Sequence, residues 1–330
     1  MSAPAQTPPR ISEPLKPRTA SKAIKRSSIK RDRFFPYALS APAAFLELLI
    51  HIIPMLLGVW IAFLSLTQFS IANWVKAPFV GLQNFTTALD PNGPIGSQFF
   101  DALGRTFLFT FLVVAIAWSL GIFAAVLLAS KFRSNGFFRT LFLVPYALPS
   151  YVTTIAWAFM FNQRDGMVNR FLVEDLGILE EGPFWLLGGN SFFVMVVVAV
   201  WQFWPFAFLM LLAALQSIPN EVYEAASLDG ASLWKQFTRI TLPMIKHANV
   251  VLLLMLGLWV FNQFDIPYLL FGPVSPEEAT LISPLIYQQS FNNWNFGVGG
   301  ALSVVLLIAL LIVSAFYIRL VMPKGKSIDD

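Results

Sequence analysis

Six stretches of this chain are apolar for long enough to cross a lipid bilayer as helix, and that leaves few folds open. The hydrocarbon core of a bilayer asks for about 20 apolar residues in a row. Within it every backbone N–H and C=O must be satisfied internally, so only helices and closed barrels can span. The runs fall near Tyr37–Leu66, Gly104–Ala129, Phe138–Phe161, Ser191–Leu215, Ala248–Phe271 and Val298–Val321. The expected fold class is an all-α membrane protein with six transmembrane helices. With 57% hydrophobic and only 12% charged residues, a chain of 330 residues has too little charge to cover a soluble surface. The first run is too long and charged for a cleavable signal peptide, and no small-residue cleavage site follows it.

The positive residues set the expected orientation. Arg10, Lys16, Arg18, Lys22, Lys25, Arg26, Lys30, Arg31 and Arg33 precede the first run, and Lys131, Arg133 and Arg139 follow the second. Lys235, Arg239 and Lys246 follow the fourth, and Arg319, Lys324 and Lys326 end the sixth. The alternate loops hold Lys76 and Arg105, then Arg164 and Arg170, then none over 272–297. Such alternation places both termini of a multi-pass protein in the cytoplasm. Residues 1–33, rich in Pro, Ser, Lys and Arg, read as a disordered basic cytoplasmic tail. Anchoring of positive charge inside accounts for that tail without nucleic acid as a partner. The organisation expected is this tail, a first helix and external loop over 34–103, a five-helix core over 104–321, and a cytoplasmic end at 322–330.

Several chemistries are excluded. The chain has no cysteine, so disulfides, thiolate metal sites and cysteine nucleophiles are absent. His51 and His247 lie far apart in sequence, which argues against a histidine metal site. No GxxxxGK[ST] loop is present to cradle phosphate, so ATP hydrolysis by this chain alone is not expected.

One loop departs from the rest. Residues 216–246 read QSIPNEVYEAASLDGASLWKQFTRITLPMIK. Pro219 and Asn220 suit a helix start, with Glu221 and Glu224 favourable near its positive end. Asp229 and Gly230 stop that helix, because glycine readily takes the left-handed conformation of a C-terminal cap. Ser232 can cap a second helix over Leu233–Leu242, which Pro243 interrupts as the chain turns toward the membrane. Leu228, Leu233, Phe237 and Ile240 form an apolar patch that a bare loop would not keep, so a partner should cover it.

Glu224-Ala225-Ala226, then Asp229-Gly230-Ala231, then Ile240, Leu242 and Pro243 resemble the EAA signature of binding-protein-dependent ABC importer permeases. In that family this loop is the coupling helix that enters a cleft on the ATP-binding subunit. The resemblance implies ATPase-coupling roles for Glu224, Ala225, Ala226, Asp229, Gly230 and Pro243. It extends over most of the chain. Pro54 followed by Ser65 and Leu66, Gly81-Leu82-Gln83-Asn84-Phe85, Arg139 to Pro149, and Gly166 with Asn169 are similar to the sugar-permease subunits of the maltose-importer type. So are Phe264-Asp265, Tyr268-Leu269, Gly272-Pro273, Thr280, Tyr287 and Phe291. Phe271-Gly272 stands where the family often has a double glycine, and the long first external domain of some members is absent. The implied fold is that of a type I ABC importer permease. The implied partners are a second homologous permease, two ATP-binding subunits that use ATP and Mg, an extracytoplasmic solute-binding protein, and a carbohydrate cargo, a di- or oligosaccharide being expected. No cofactor is expected on this chain.

Polar residues inside the runs mark candidate path positions, since lipid tolerates such groups only where they face protein or water. On the fifth run Trp259, Asn262, Gln263, Asp265 and Tyr268 cluster around Pro267, whose ring leaves the Gln263 carbonyl without its usual partner. On the fourth, Trp201, Trp204, Pro205 and Phe208 share a face, with Gln202 beside it. Each group has a purely structural alternative, as helix-to-partner ties or as packing. Glu47 and His51 stand four apart on the first run and share a face, as a structural pair or as part of a proton relay. Two other functions remain open at this level: the same machinery carrying glycerol 3-phosphate or a polyol, and a proton-coupled secondary transporter built on Glu47, His51 and Asp265. The spans hold almost no arginine to escort a phosphate, and a secondary transporter gives no reason for the EAA loop.

Overall fold

The computed structural model describes residues 35–129 and 133–321. The basic segment 1–33, the 322–330 end and Lys131 lie outside the described residues. Among those described, the structure is helical, with two isolated bridges, Leu64 to Phe79 and Thr67 to Asn295. Five helices are long and apolar enough to span: Pro36–Ile61, Pro94–Ala129, Gly189–Gln216, Lys246–Phe271 and Phe296–Arg319.

The third span is not the continuous helix expected over Phe138–Phe161. It consists of Asn135–Ala147 and Ser150–Met160, bent by 88° at the break. Pro149 is the cause, because its ring drives the preceding residue out of the helical region. Leu148 accordingly sits at φ −83, ψ 142.

Three other boundaries moved for local reasons. The first helix stops at Ile61, before Leu66, because the chain turns to pair with the external loop: Ser65 N donates to Pro78 O and Val80 N to Phe63 O. Asn84, in the GLQNF stretch, locks that turn by donating from Nδ2 to Ala62 O and Leu64 O, both at 2.9 Å. The second span starts at Pro94, ten residues before the apolar run, since proline is pre-set for a first helical position. The fifth span is interrupted: one helix ends at Phe261 and the next runs Asp265–Phe271. Pro267 thus sits in a first turn, where its missing N–H has no intrahelical partner to lose.

Among the described residues, those up to Pro54 form one unit and those from Met55 a second. In the second, the second and fourth spans lie along each other. Gly121 permits this: a Cβ there would fall 2.7 Å from Ala207 Cβ and 2.8 Å from Phe208 N. Ala117, Ala124 and Ala125 are buried on the same helix. Between helices in lipid there is little hydrophobic drive, so close backbone approach and polar ties do the work. The ties are present. Trp118 Nε1 donates to Asn249 Oδ1 at 2.7 Å, Tyr317 OH to Val250 O at 3.0 Å, and Ile282 N to Thr106 Oγ1 at 3.0 Å.

Candidate functional site

The 216–246 loop folds as two helical pieces set against each other. Pro219 is extended at φ −61, ψ 138 and opens the helix Asn220–Leu228, with Glu221 in its first turn. Gly230 adopts φ +75 and ends it. Ala231 N then reaches Ala226 O at 2.9 Å, which satisfies a carbonyl the helix would otherwise leave open. Ser232 Oγ accepts from Lys235 N at 3.4 Å and caps the next piece.

That second piece is shorter than the expected Leu233–Leu242 helix. An α-turn over Leu233–Gln236 passes into a wider π-helical segment, Phe237–Thr241, and then a short helix, Leu242–Met244. Pro243 therefore stands within the last short helix, and the turn into the fifth span comes at Ile245, whose φ −86, ψ 7 leaves the helical region.

Two cross-links hold the pieces together, neither legible from residue types alone. Tyr223 OH and Thr241 Oγ1 lie 3.0 Å apart. Gln236, buried, donates from Nε2 to Ser227 Oγ and to Ala231 O, both at 3.0 Å. Both need the loop to double back before their partners meet.

Of the residues the resemblance singles out, Glu224, Ala225, Asp229, Gly230 and Pro243 are exposed, while Ala226 is buried under the helix. The apolar patch differs in membership from expectation. Leu228, Leu233 and Trp234 are exposed by 90%, 83% and 72%, a bare apolar face of the kind that meets a partner. Phe237 instead turns inward against the core of Leu211, Leu215 and Leu252, and Ile240 is half-buried.

On the fifth span, Trp259, Asn262 and Asp265 are all exposed and recur every three residues, on an uncovered stripe. Asn262 follows the longer helix as its cap, and its Nδ2 donates to Leu258 O at 3.0 Å. Asp265 opens the next helix. Gln263, by contrast, is buried and points into the bundle. Tyr268 belongs to an aromatic ladder: it stacks on Phe264 at 5.1 Å and meets Tyr287 edge-on at 5.3 Å, and Tyr287 continues to Phe291 at 5.0 Å. Trp259 leans on Phe206 at 4.9 Å.

The fourth-span aromatics lie elsewhere. Trp201 meets Trp157 at 5.9 Å and Trp204 meets Phe142 at 5.3 Å. Both indoles line a hollow of ≈ 540 Å³ walled by carbon, including Ile116, Leu120 and Val196. Gln202 is half-buried, and its Oε1 has no partner among the described residues. The ring contacts of Trp201 and Trp204 run to Trp157, Phe142 and Phe208, whereas Asn262 bonds within its own helix. On the first helix Glu47 Oε2 and His51 Nδ1 stand 3.2 Å apart with both side chains more than half exposed.

Residues 117–324 match the family model of the binding-protein-dependent transport system inner membrane component. The inner membrane ABC transporter permease protein YcjO of Escherichia coli (strain K12) is 34% identical over 84% of this chain and 92% of its own length. The sulfoquinovosyl glycerol transport system permease protein SmoG of Agrobacterium fabrum is 34% identical over 89% and 92%. The trehalose/maltose transport system permease protein MalF of Thermococcus litoralis is 31% identical over 88% and 94%. In fold, the chain superposes with a TM-score of 0.75 on a chain from the crystal structure of a bacterial ABC transporter involved in the import of the acidic polysaccharide alginate, at 24% identity over 88% of this chain and 96% of that one.

Proposed function

Because the chain belongs to the family of binding-protein-dependent transport system inner membrane components, we propose that it forms, with a second permease, the translocation path of an ATP-driven importer for a neutral carbohydrate. It is a multi-pass transport component of the inner membrane, with both termini in the cytoplasm and 216–246 as its cytoplasmic coupling loop. Two separate ATP-binding subunits supply the hydrolysis with ATP and Mg, and this chain holds no cofactor. An extracytoplasmic binding protein delivers the cargo. Relatives whose names specify trehalose or maltose support a disaccharide cargo.

The observation that carries the coupling role is the bare apolar face of Leu228, Leu233 and Trp234 beside exposed Glu224 and Gly230. A face of that character on a short, internally cross-linked loop suits a cleft on a partner rather than water. For the path, Asn262 offers a hydroxyl both donor and acceptor atoms, and Trp259 and Tyr268 offer flat surfaces for sugar C–H faces.

The deciding experiment is uptake of labelled trehalose and maltose by proteoliposomes holding the assembled importer. Uptake should stop when the partner ATPase carries an inactive hydrolytic site, and persist with a proton uncoupler while ATP is maintained. Uptake that survives the dead ATPase and collapses with the uncoupler would establish the proton-coupled alternative instead.

A further inference from the structure

The coupling loop meets the spans through Tyr223, Phe237 and Leu242, which pack against the core of the second, fourth and fifth spans. Beside that packing lies a cavity of ≈ 1060 Å³ at the ends of the second and fourth spans, lined by Val126, Arg139, Gln216, Tyr223, Gln236 and Phe237 among others. A push on the loop reaches the fourth and fifth spans through that packing and through direct links. To the fourth span the link is the chain itself, Gln216 to Asn220. To the fifth it is the Tyr223–Thr241 bond and the chain from Thr241. The third span has no covalent continuity with the loop; Phe142 packs it against Trp204 and Phe208 of the fourth span, and Arg139 reaches from it to the loop's root.

Arg139 lies on the Asn135–Ala147 half of that span. Its Nη2 donates to Leu128 O at 2.7 Å, next to the last residue of the second span. With the Gln216 amide turned so that its oxygen faces the guanidinium, Nη2 and Nη1 lie 3.1 and 3.2 Å from it. Gln216 is the last residue of the fourth-span helix, three positions before the Pro219 that opens the coupling helix. One planar, permanently charged group thus ties three span ends at the root of the coupling loop, through charge-assisted bonds whose fork geometry lysine cannot reproduce.

We propose that Arg139 is the positioning residue that carries displacement of the coupling loop into the third span, tilting its Asn135–Ala147 half about the 88° break at Leu148–Pro149. The break makes the tilt cheap, because no α-helical hydrogen-bond ladder runs through it. The inference rests on the importer reading above. The competing role is simple capping, since arginine often satisfies the last carbonyls of a helix. Gln216 separates the two: capping needs only Leu128 O, whereas transmission needs the bond to the loop's root.

The test uses the assembled importer with its ATP-binding subunits. Cysteines replacing the exposed Phe123 and Thr140, in a chain with no native cysteine, carry spin labels on the second and third spans. Their distance is read without nucleotide and after trapping with ATP and vanadate. The wild-type pair should shift on trapping. Arg139→Met and Gln216→Leu should both lose most of the shift and lower transport per ATP hydrolysed by about tenfold, within the usual range of inter-site coupling. Arg139→Lys should be intermediate. A full shift in Gln216→Leu would reduce Arg139 to a cap and overturn the proposal, as would an unmoved pair in the unmutated importer. If Arg139→Met fails to assemble, Gln216→Leu and Arg139→Lys decide. Glu224→Lys serves as the control on the underlying reading. Should it leave the shift and the stimulated hydrolysis intact, the coupling-loop assignment itself fails; should it abolish them while Gln216→Leu does not, only the Arg139 role fails.

Discussion

Gly230 offers a perturbation whose size follows from its backbone. It holds φ +75, and a Cβ built there meets nothing within 4 Å. Substitution is thus opposed by conformation and not by crowding. An L-residue in the left-handed region costs about 1–2 kcal/mol, with Asn and Asp tolerated better than others. Since about 1.4 kcal/mol is tenfold in an equilibrium, Gly230→Ala should leave the native turn roughly tenfold less favoured. Helix Asn220–Leu228 would then end differently and the Ala231–Ala226 bond would loosen. Gly230→Leu adds a branched side chain beside the exposed Leu228 and Leu233, on the face offered to the ATPase. Gly230→Asn should behave nearly as the parent. Initial uptake and binding-protein-stimulated ATP hydrolysis, each normalised to assembled complex, should therefore fall in the order Gly, Asn, Ala, Leu. If Asn proved as damaging as Leu, the conformational reasoning would be wrong; if Leu transported normally, the turn would have no part in coupling.

The remaining expectations concern topology, packing and the path. Single cysteines at Asn92, Asp175 or Glu277 should react with an impermeant reagent from outside intact cells, and those at Ser134 or Ser232 should not; external labelling at Ser232 would overturn the orientation. Gly121→Val should destabilise the second-to-fourth-span contact by about 1–3 kcal/mol, the usual cost of overpacking, seen as a lower melting temperature in detergent. Gly104→Ala, on the same helix with nothing within 4 Å, should melt no lower than the parent. Asn262→Leu should cut uptake strongly at limiting sugar while assembly is retained, and Asp265→Asn should be milder because it keeps acceptor capacity. Normal import by Asn262→Leu would remove that residue from the path.

What was legible in the sequence is what local chemistry decides. Apolar length sets the number of spans, because the bilayer demands it wherever the chain later packs. The start and stop of Asn220–Leu228 were readable from Pro219, Glu221 and Gly230, since a cap depends on residues within one turn of it. The break at Leu148–Pro149 is equally local, but the apolar run continues across it and masks the proline's effect. The second-span start at Pro94 is hidden for the converse reason: polar Ser97, Gln98 and Asp101 carry the helix beyond the apolar stretch. Tertiary structure alone decided which polar residues face outward. Asn262 and Gln263 are adjacent and similar in chemistry, yet one is exposed and the other buried, because the neighbouring helices cover only one side of the fifth span. It also decided that Arg139 meets Leu128 and Gln216 across gaps of 11 and 77 residues. Contacts at that separation depend on how the spans pack, and a single sequence read residue by residue carries no record of which ends will meet.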